Sequence, residues 1–496
     1  MMTSRTARVY VLYTGGTLGM VPSDPGNPAS ALRPGSQAEL AAYLPPDLGR
    51  RLGIEYEMFG LHDLDGHPVP PIDSSDVSSE HWRYMANAIS SAYADYDGFI
   101  ILHGTDTMAY TASALSFMLD NLAVPVVLTG AQLPVAHPRT DAVGNFVNAL
   151  HVAGHAATGV PLIPEVVIVF AATVLRGNRA RKLSSSAWQG FESPNHPPLG
   201  AIGEHIKIAS EHVRPAADNE IEPFFACLDL ETRIADISLF PGIRAEQLAA
   251  MLLSPDLRGA VLRTYGAGNA PSGPDLLEVI GDAVAAGSVI VNVTQCTQGM
   301  VEAGLYAASS GLLERGVISG LDLTPEAALT KLMSLLANES QPEVEAQMQR
   351  NLRGEQSASL LDVRFSSSEH VRVGRSTGNL TAETRLPGPF AREQLQQATL
   401  RIRGLRVIAP DGASPAVDVQ AFLNHPRARA TDAADPRRAA SFATDTATAT
   451  DHVADVTTVA RSVIEDGRAV QLTLVAPSAD GRVEFDAASL GLLTFD

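Results

Sequence analysis

The sequence is poor in cysteine, lysine and aromatic residues. Only two cysteines, Cys227 and Cys296, stand among its 496 residues. That excludes a disulfide-dense secreted scaffold and any zinc site built from four cysteines, although a single disulfide stays open. No apolar run approaches the ~18 residues that a membrane span needs. Met1 to Thr17 carries no long apolar stretch and no small-residue cleavage site, so the expected location is the cytoplasm. Positive charge is outweighed: 36 Lys+Arg against 55 Asp+Glu leave a formal net charge of −19. That balance argues against non-specific binding to nucleic acid or an anionic membrane. The three lysines are Lys182, Lys207 and Lys331. An arginine-favouring genome accounts for their scarcity, but a buried lysine can lose its proton and an arginine cannot.

What is present is globular. Hydrophobic residues make up 45% and charged residues 18%, and the length suggests two to four domains. Arg8–Thr14, Ile54–Phe59, Gly98–His103, Val124–Thr129 and Glu165–Ala171 read as strands. Ser79–Ala94, Met108–Leu122 and Ala142–Ala156 carry apolar residues at helical spacing. Strands alternating with helices predict a parallel sheet covered on both faces. A polar, Pro-rich stretch interrupts the alternation, which then restarts at Ile234–Phe240, Arg258–Thr264 and Ser288–Thr294. The predicted helices there are Ala245–Leu253, Asp275–Ala286 and Pro325–Leu336. After Glu355 the pattern becomes period two. Leu400–Ala409 and Ala416–Leu423 read as a hairpin across Pro410-Asp411-Gly412, and Val470–Val475 and Arg482–Phe485 as another across Ala479-Asp480-Gly481.

The expected class is therefore α/β: two domains with mostly parallel sheets flanked by helices, followed by an all-β module. The expected boundaries are 1–195 for a first α/β domain, 196–225 for a linker, 226–355 for a smaller α/β domain and 356–496 for a β-rich accessory module. Within the last, the Ala-, Thr- and Asp-rich stretch at about 430–455 reads as a disordered insertion.

Four segments carry chemistry. Thr14-Gly15-Gly16-Thr17-Leu18-Gly19 follows the first strand. It lacks both phosphate-loop spacings, which leaves a hydroxyl nucleophile, Thr17 or Thr14, or an ordinary Gly-rich turn. Asp73-Ser74-Ser75-Asp76 follows Pro70-Pro71-Ile72 and alone reads as a turn with a helix cap at Asp76 or Ser78. His103-Gly104-Thr105-Asp106-Thr107 ends another strand, where Thr105 or Asp106 could equally be a helix cap and His103 alone is weak evidence for a metal. Arg176-Gly177-Asn178-Arg179-Ala180-Arg181-Lys182 reads either as a solvated basic turn or as a loop presenting Lys182 as a base. In the second case burial beside cationic neighbours would lower the lysine's pKa.

Together, in this order and at these separations, the four segments resemble the asparaginase family, and among its members the bacterial type I (cytoplasmic) enzymes. The run from Tyr96 to Leu119, the segment Leu262-Arg263-Thr264-Tyr265-Gly266-Ala267-Gly268-Asn269-Ala270-Pro271, Val293-Thr294-Gln295-Cys296 and Asn351-Leu352-Arg353-Gly354-Glu355 add to the resemblance. It spans Val9 to about Glu355.

The resemblance implies a two-domain hydrolase that converts L-asparagine to L-aspartate and ammonia, as in asparagine catabolism, through a threonine nucleophile and without metal or organic cofactor. Residue by residue, the catalytic positions fall on Thr17, Thr105, Asp106 and Lys182. Substrate contacts fall on Asp73, Ser74, Ser75, Thr105 and Asp106. A regulatory, allosteric asparagine site of some type I members falls on Arg263, Thr294, Gln295 and Cys296, for which structural roles serve as well. A homodimer or homotetramer is implied, with neither nucleic acid nor membrane as partner. One departure stands out: the loop after Gly-Gly-Thr, where the family often places a Tyr, reads Pro25-Gly26-Asn27-Pro28. The alternatives are a mixed asparaginase–glutaminase, a non-catalytic or weakly active asparagine sensor, the asparaginase-like subunit of a tRNA-dependent amidotransferase, and a nucleotide-dependent oxidoreductase. The acidic charge opposes the amidotransferase subunit, and the missing phosphate fingerprint opposes the oxidoreductase.

Overall fold

The computed structural model describes residues 6–24, 27, 30–302, 307–365, 372–373, 379–385, 392–408, 416–429, 432, 434–445, 449–464, 469–475 and 482–495. The chain divides into two compact units. One comprises Met1–Met348 with Leu352–Gln356, the other Gln349–Asn351 with Ser357–Asp496.

The first unit is built on an eight-stranded sheet. Its strands are β1 (Ala7–Tyr13), β2 (Ile54–Gly60), β3 (Gly98–Leu102), β4 (Val126–Thr129), β5 (Val166–Phe170), β6 (Thr173–Arg176), β7 (Gly200–Ile202) and β8 (Ile206–Ile208), in the order β8-β7-β6-β5-β4-β3-β1-β2. Strands β2, β1, β3, β4 and β5 run parallel, and β6, β7 and β8 extend the edge antiparallel. All residues of β3, β4 and β5 are buried, because helices cover both faces of the sheet. Helices α1 (Ser79–Ala92) and α2 (Met108–Met118) lie on one face. Trp82, Met85, Ala86 and Ile89 form the inward stripe of α1, and every residue of α2 except Tyr110 is buried. Helix α3 (Ala142–Ala153) covers the other face through Phe146, Ala149 and Leu150. Strand alternation serves both layers: Val9, Val11 and Tyr13 join the core beneath α3, and Leu12 the core beneath α1 and α2.

The same unit holds a second, four-stranded parallel sheet: β9 (Ile234–Ser238), β10 (Gly259–Thr264), β11 (Val289–Thr294) and β12 (Ile318–Ser319). Helices α4 (Ala245–Leu252), α5 (Pro274–Ala285) and α6 (Pro325–Asn338) accompany it. One expectation is corrected. The polar stretch 196–225 is not a free linker: β7 and β8 add to the large sheet, and Phe225–Ala226 pairs with Leu119–Asp120. Three-residue strands are too short to show periodicity, so only their pairing reveals them.

The second unit contains two antiparallel five-stranded sheets. Ala358–Phe365, Ala487–Phe495, Leu395–Ile408 and Thr450–Asp455 are neighbours in one, with Arg482–Glu484 also pairing Leu395–Ile408. Arg372–Val373, Asn379–Arg385, Ala469–Val475, Ala416–Leu423 and Arg438–Asp445 follow one another in the other. Leu400, Ile402, Leu490 and Leu492 from the first sheet share a core with Val419, Ala421, Leu472 and Leu474 from the second.

Neither expected hairpin forms. Leu395–Ile408 and Ala416–Leu423 belong to different sheets, as do Ala469–Val475 and Arg482–Glu484. The expected turns, Pro410-Asp411-Gly412 and Ala479-Asp480-Gly481, lie outside the described residues. The stretch expected to be disordered supplies strands Arg438–Asp445 and Thr450–Asp455. Its low complexity hides a period-two pattern, in which Phe442 is buried and Thr450–Asp455 alternates between half-buried and exposed. The unit is also not purely β, because α7 (Thr457–Val463) packs Ala460 into its core.

Candidate active site

The register of the large sheet sets the site. Tyr13 aligns with Leu102 and Leu102 with Thr129, so the loops after β1, β3 and β4 leave the sheet together at the strands' carboxyl ends. Open parallel sheets bind ligands at that end. The loop after β1 is stitched to its neighbours by backbone. The Thr14 amide donates to the Leu102 carbonyl at 3.1 Å, the Ile72 amide to the Thr14 carbonyl at 2.7 Å, and the Gly16 amide to the Ile72 carbonyl at 3.0 Å.

Glycine is required at two points here. Gly15 and Gly16 have φ of 121° and 79°, a region closed to most side chains. A Cβ on Gly15 would overlap the Ile72 backbone, and one on Gly16 the Gly104 backbone. The Gly-Gly-Thr turn, the Asp73 segment and the His103 segment therefore converge. Thr17 opens a one-turn 3-10 helix, Thr17–Gly19, and is half-buried.

Ser74 joins the second segment to the third. Its hydroxyl accepts from the Asp106 amide at 3.2 Å, and its carbonyl accepts from the Thr107 hydroxyl at 2.7 Å. Asp73 beside it is exposed. Its carboxylate accepts from the Ser75 amide at 2.9 Å and the Ser75 hydroxyl at 2.8 Å, and these bonds hold its pKa below the usual carboxylate range. The cap expected at Asp76 or Ser78 is present at Ser78, which pairs with His81 at the start of α1. Helix α2 begins after Thr107, so Thr105 and Asp106 are not its caps.

Those two residues face Lys182 instead. The Lys182 Nζ donates to Thr105 Oγ1 at 2.9 Å and to Asp106 Oδ1 at 2.5 Å. The arginines of the same loop are each engaged elsewhere. Arg176 pairs with Glu165 at 2.6 Å, Arg179 with Asp322 at 2.9 Å and Arg181 with Glu326 at 3.3 Å. Arg176 and Arg179 are buried. The solvated basic turn is thereby excluded, and so is the expected cationic surrounding of Lys182: a carboxylate is the charge at its head. These ion pairs, with Asp322 and Glu326 some 145 residues away in sequence, left no local signal in the loop's composition.

His103 is fully buried and bonded at both nitrogens. Its Nδ1 lies 2.6 Å from the Gly104 carbonyl and its Nε2 3.0 Å from the Thr111 hydroxyl. Burial pushes its pKa down to about 4, so the ring is neutral at pH 7. This is a core histidine in a hydrogen-bonded chain. A surface group, Asp63, Asp65 and His67, is close enough to hold a cation, but Asp63 already accepts from the amides of Asp65 and His67.

The residues matched to a regulatory site lie at the ends of β10 and β11. Arg263 donates from Nε to Asp236 at 2.7 Å and from Nη2 to the same carboxylate. Burial opposes the charge on Arg263, but the Asp236 bonds outweigh it and hold the guanidinium's pKa above its ordinary value. Thr294 donates to the Gly266 carbonyl at 2.6 Å and accepts from the Cys296 amide at 3.0 Å. Gln295 Nε2 donates to the carbonyls of Leu239 and Arg263 at 2.6 and 2.8 Å. Cys296 and Cys227 are free thiols, so the single disulfide left open does not form. Asn27 is exposed, and Pro25, Gly26 and Pro28 lie outside the described residues.

Comparison with known proteins covers the first unit. The family model "Asparaginase, N-terminal" matches residues 8–214, and "Glutaminase/Asparaginase C-terminal domain" matches 233–348. The chain is 42% identical to L-asparaginase 1 of Escherichia coli, over 70% of this chain and 97% of that one. It is 37% identical to the 60 kDa lysophospholipase of Mus musculus, over 72% of this chain and 64% of that one. The L-asparaginase I of Vibrio cholerae superposes with a TM-score of 0.62 at 40% identity, covering 71% of this chain and 99% of that one.

Proposed function

This chain belongs to the asparaginase family, and from that premise we propose how it hydrolyses L-asparagine to L-aspartate and ammonia. The observation that carries the reading is Lys182 Nζ held between Thr105 Oγ1 and Asp106 Oδ1, beside the Gly-Gly-Thr turn.

Thr17 is the nucleophile. A threonine hydroxyl attacks poorly at neutral pH and needs a base. Lys182, deprotonated, takes the proton through the Thr105 hydroxyl, and the Thr17 oxygen bonds to the side-chain amide carbon. The substrate ammonium seats on Asp106, where it competes with Lys182 for the carboxylate. Asp73, Ser74 and Ser75 hold the α-carboxylate and α-amine. Backbone amides around Thr105, ahead of α2, face the oxyanion of the tetrahedral intermediate. When that intermediate collapses, the carbon–nitrogen bond breaks and ammonia leaves with the proton from Lys182. Water then attacks the resulting ester, and aspartate and the free Thr17 hydroxyl are restored. No step calls on a cofactor. The sensor reading is not favoured, because sensing asparagine does not require a base beside the Thr pair.

The finer parts of the reading are a homodimer or homotetramer in the cytoplasm and a second asparagine site at Arg263, Thr294, Gln295 and Cys296. Ammonia release from L-asparagine and L-glutamine, over a concentration series, tests the whole. Turnover of asparagine by the parent, with a loss of at least ~10³-fold in kcat for Thr17→Ala, is the expected result. Binding without ammonia release defeats the hydrolase. A sigmoidal curve supports the second site, and a hyperbolic one removes it.

A further inference from the structure

The mechanism above leaves the buried His103 unused. We propose that His103 is a positioning residue: as the Nδ1–H tautomer, oriented by Thr111 and Trp82, it pins the Gly104 carbonyl and so aims the Thr105 amide at the oxyanion. The inference rests on the hydrolase reading and names the device that sets one of its oxyanion donors.

The tautomer follows from the partners. A carbonyl only accepts, so the 2.6 Å contact with the Gly104 oxygen requires a proton on Nδ1. A neutral ring carries one N–H, which leaves Nε2 as an acceptor. The Thr111 hydroxyl, 3.0 Å away, therefore donates to Nε2. Its lone pairs are then open to a donor, and the Trp82 indole N–H supplies one at 3.0 Å. Trp82 cannot accept, so the chain has one direction, from Trp82 through Thr111 and His103 to Gly104. Trp82, Thr111, His103 and Thr105 are all buried.

The consequence for the site is geometric. In a trans peptide the carbonyl and the next amide point opposite ways across one plane. Holding the Gly104 oxygen on His103 turns the Thr105 N–H to the other side. That N–H has no acceptor among the described residues. The plane cannot slide, because Gly104 is in close contact with both Gly16 and Ser74. The same segment presents the Thr105 hydroxyl to Lys182, so one clamped peptide serves both the proton path and the oxyanion.

Three variants and one spectrum test this. His103→Leu removes the donor, and His103→Asn keeps an amide N–H near the Nδ1 position. Thr111→Val frees the ring to take the other tautomer. Loss of one oxyanion donor costs about 10²–10³-fold, and a displaced donor costs less. The expected result is a fall in kcat of roughly 10–100-fold for His103→Leu, with KM within about threefold of the parent. His103→Asn should recover at least half of the logarithmic loss, and Thr111→Val should lose less than His103→Leu. The ¹⁵N spectrum of the folded parent should show His103 protonated at Nδ1, and it needs no variant to fold. An Nε2–H signature overturns the proposal, as does a folded His103→Leu with parental kcat or with its whole loss in KM. An active parent with a silent His103→Leu defeats the positioning role alone, whereas a parent that releases no ammonia defeats the hydrolase reading and the oxyanion role with it.

Discussion

Two lysine–carboxylate pairs in the first unit are alike in chemistry and opposite in setting. Lys182 meets Asp106 with side chains 19% and 63% exposed, and Lys331 meets Glu355 with both at 0%. At Lys331 the contacts are complete: Nζ also donates to the Met348 carbonyl and to Gln356 Oε1, each at 3.2 Å, and Glu355 accepts from the amides of Leu352 and Arg353. That pair ties α6 to the end of the unit and leaves no room for a ligand. At Lys182 the carboxylate is open, so a substrate ammonium can reach it and a proton can move. A sealed pair is lost only by unfolding, whereas an open pair can exchange partners.

Substitution separates the two. Lys182→Arg removes the base, because a guanidinium does not give up its proton, and should lower kcat by at least ~10³-fold with an unchanged thermal midpoint. A variant within tenfold of the parent would take Lys182 out of the mechanism. Lys331→Met should do the reverse. Leaving Glu355 buried without its partner costs about 3–5 kcal/mol, read as an earlier urea midpoint. Its kcat per folded molecule should stay within about twofold of the parent. A fall in kcat without loss of stability would give the sealed pair a part in catalysis.

Acid sharpens the contrast. His103 holds its pKa at about 4 in the fold, against an ordinary 6.5. Below 6.5 the unfolded chain binds a proton that the folded one refuses, so its contribution is present above 6.5 and is lost as pH falls toward 4. The expected loss is about 2 kcal/mol between pH 6.5 and 4.5, missing from His103→Asn, when urea midpoints at those two pH values are compared. Equal slopes in parent and variant would remove His103 from the account. The smallest effect belongs to a fully open pair, Arg50 with Asp47, whose side chains are 80% and 59% exposed. Arg50→Ala should shift stability by less than ~0.5 kcal/mol.

Much of the first unit was legible in the sequence. Fully apolar runs such as Gly98–Leu102 and Val166–Phe170 announced buried parallel strands, and apolar residues at helical spacing over Ser79–Ala94 announced α1. The segments of the site were legible as well, since Gly-Gly-Thr and His-Gly-Thr-Asp each follow a strand. The second unit was harder. Its strands show their period, but partner choice in a sandwich is decided by chain segments far apart. Leu395–Ile408 therefore pairs with Ala487–Phe495 rather than with the next strand. In Arg438–Asp445, small residues and threonines carry a weak hydrophobic signal and take their order from the strands beside them.

The sequence by itself determined the α/β class of the first unit, the residues available for chemistry and the family they belong to. These depend on residue type and short spacing, which the chain states directly. Only the tertiary structure decided that Arg176, Arg179 and Arg181 are drawn into ion pairs, leaving Lys182 to Thr105 and Asp106, and that His103 is a neutral core residue. Charge and protonation depend on which groups come within a few ångströms and on how much water is excluded, and both are properties of packing between distant segments.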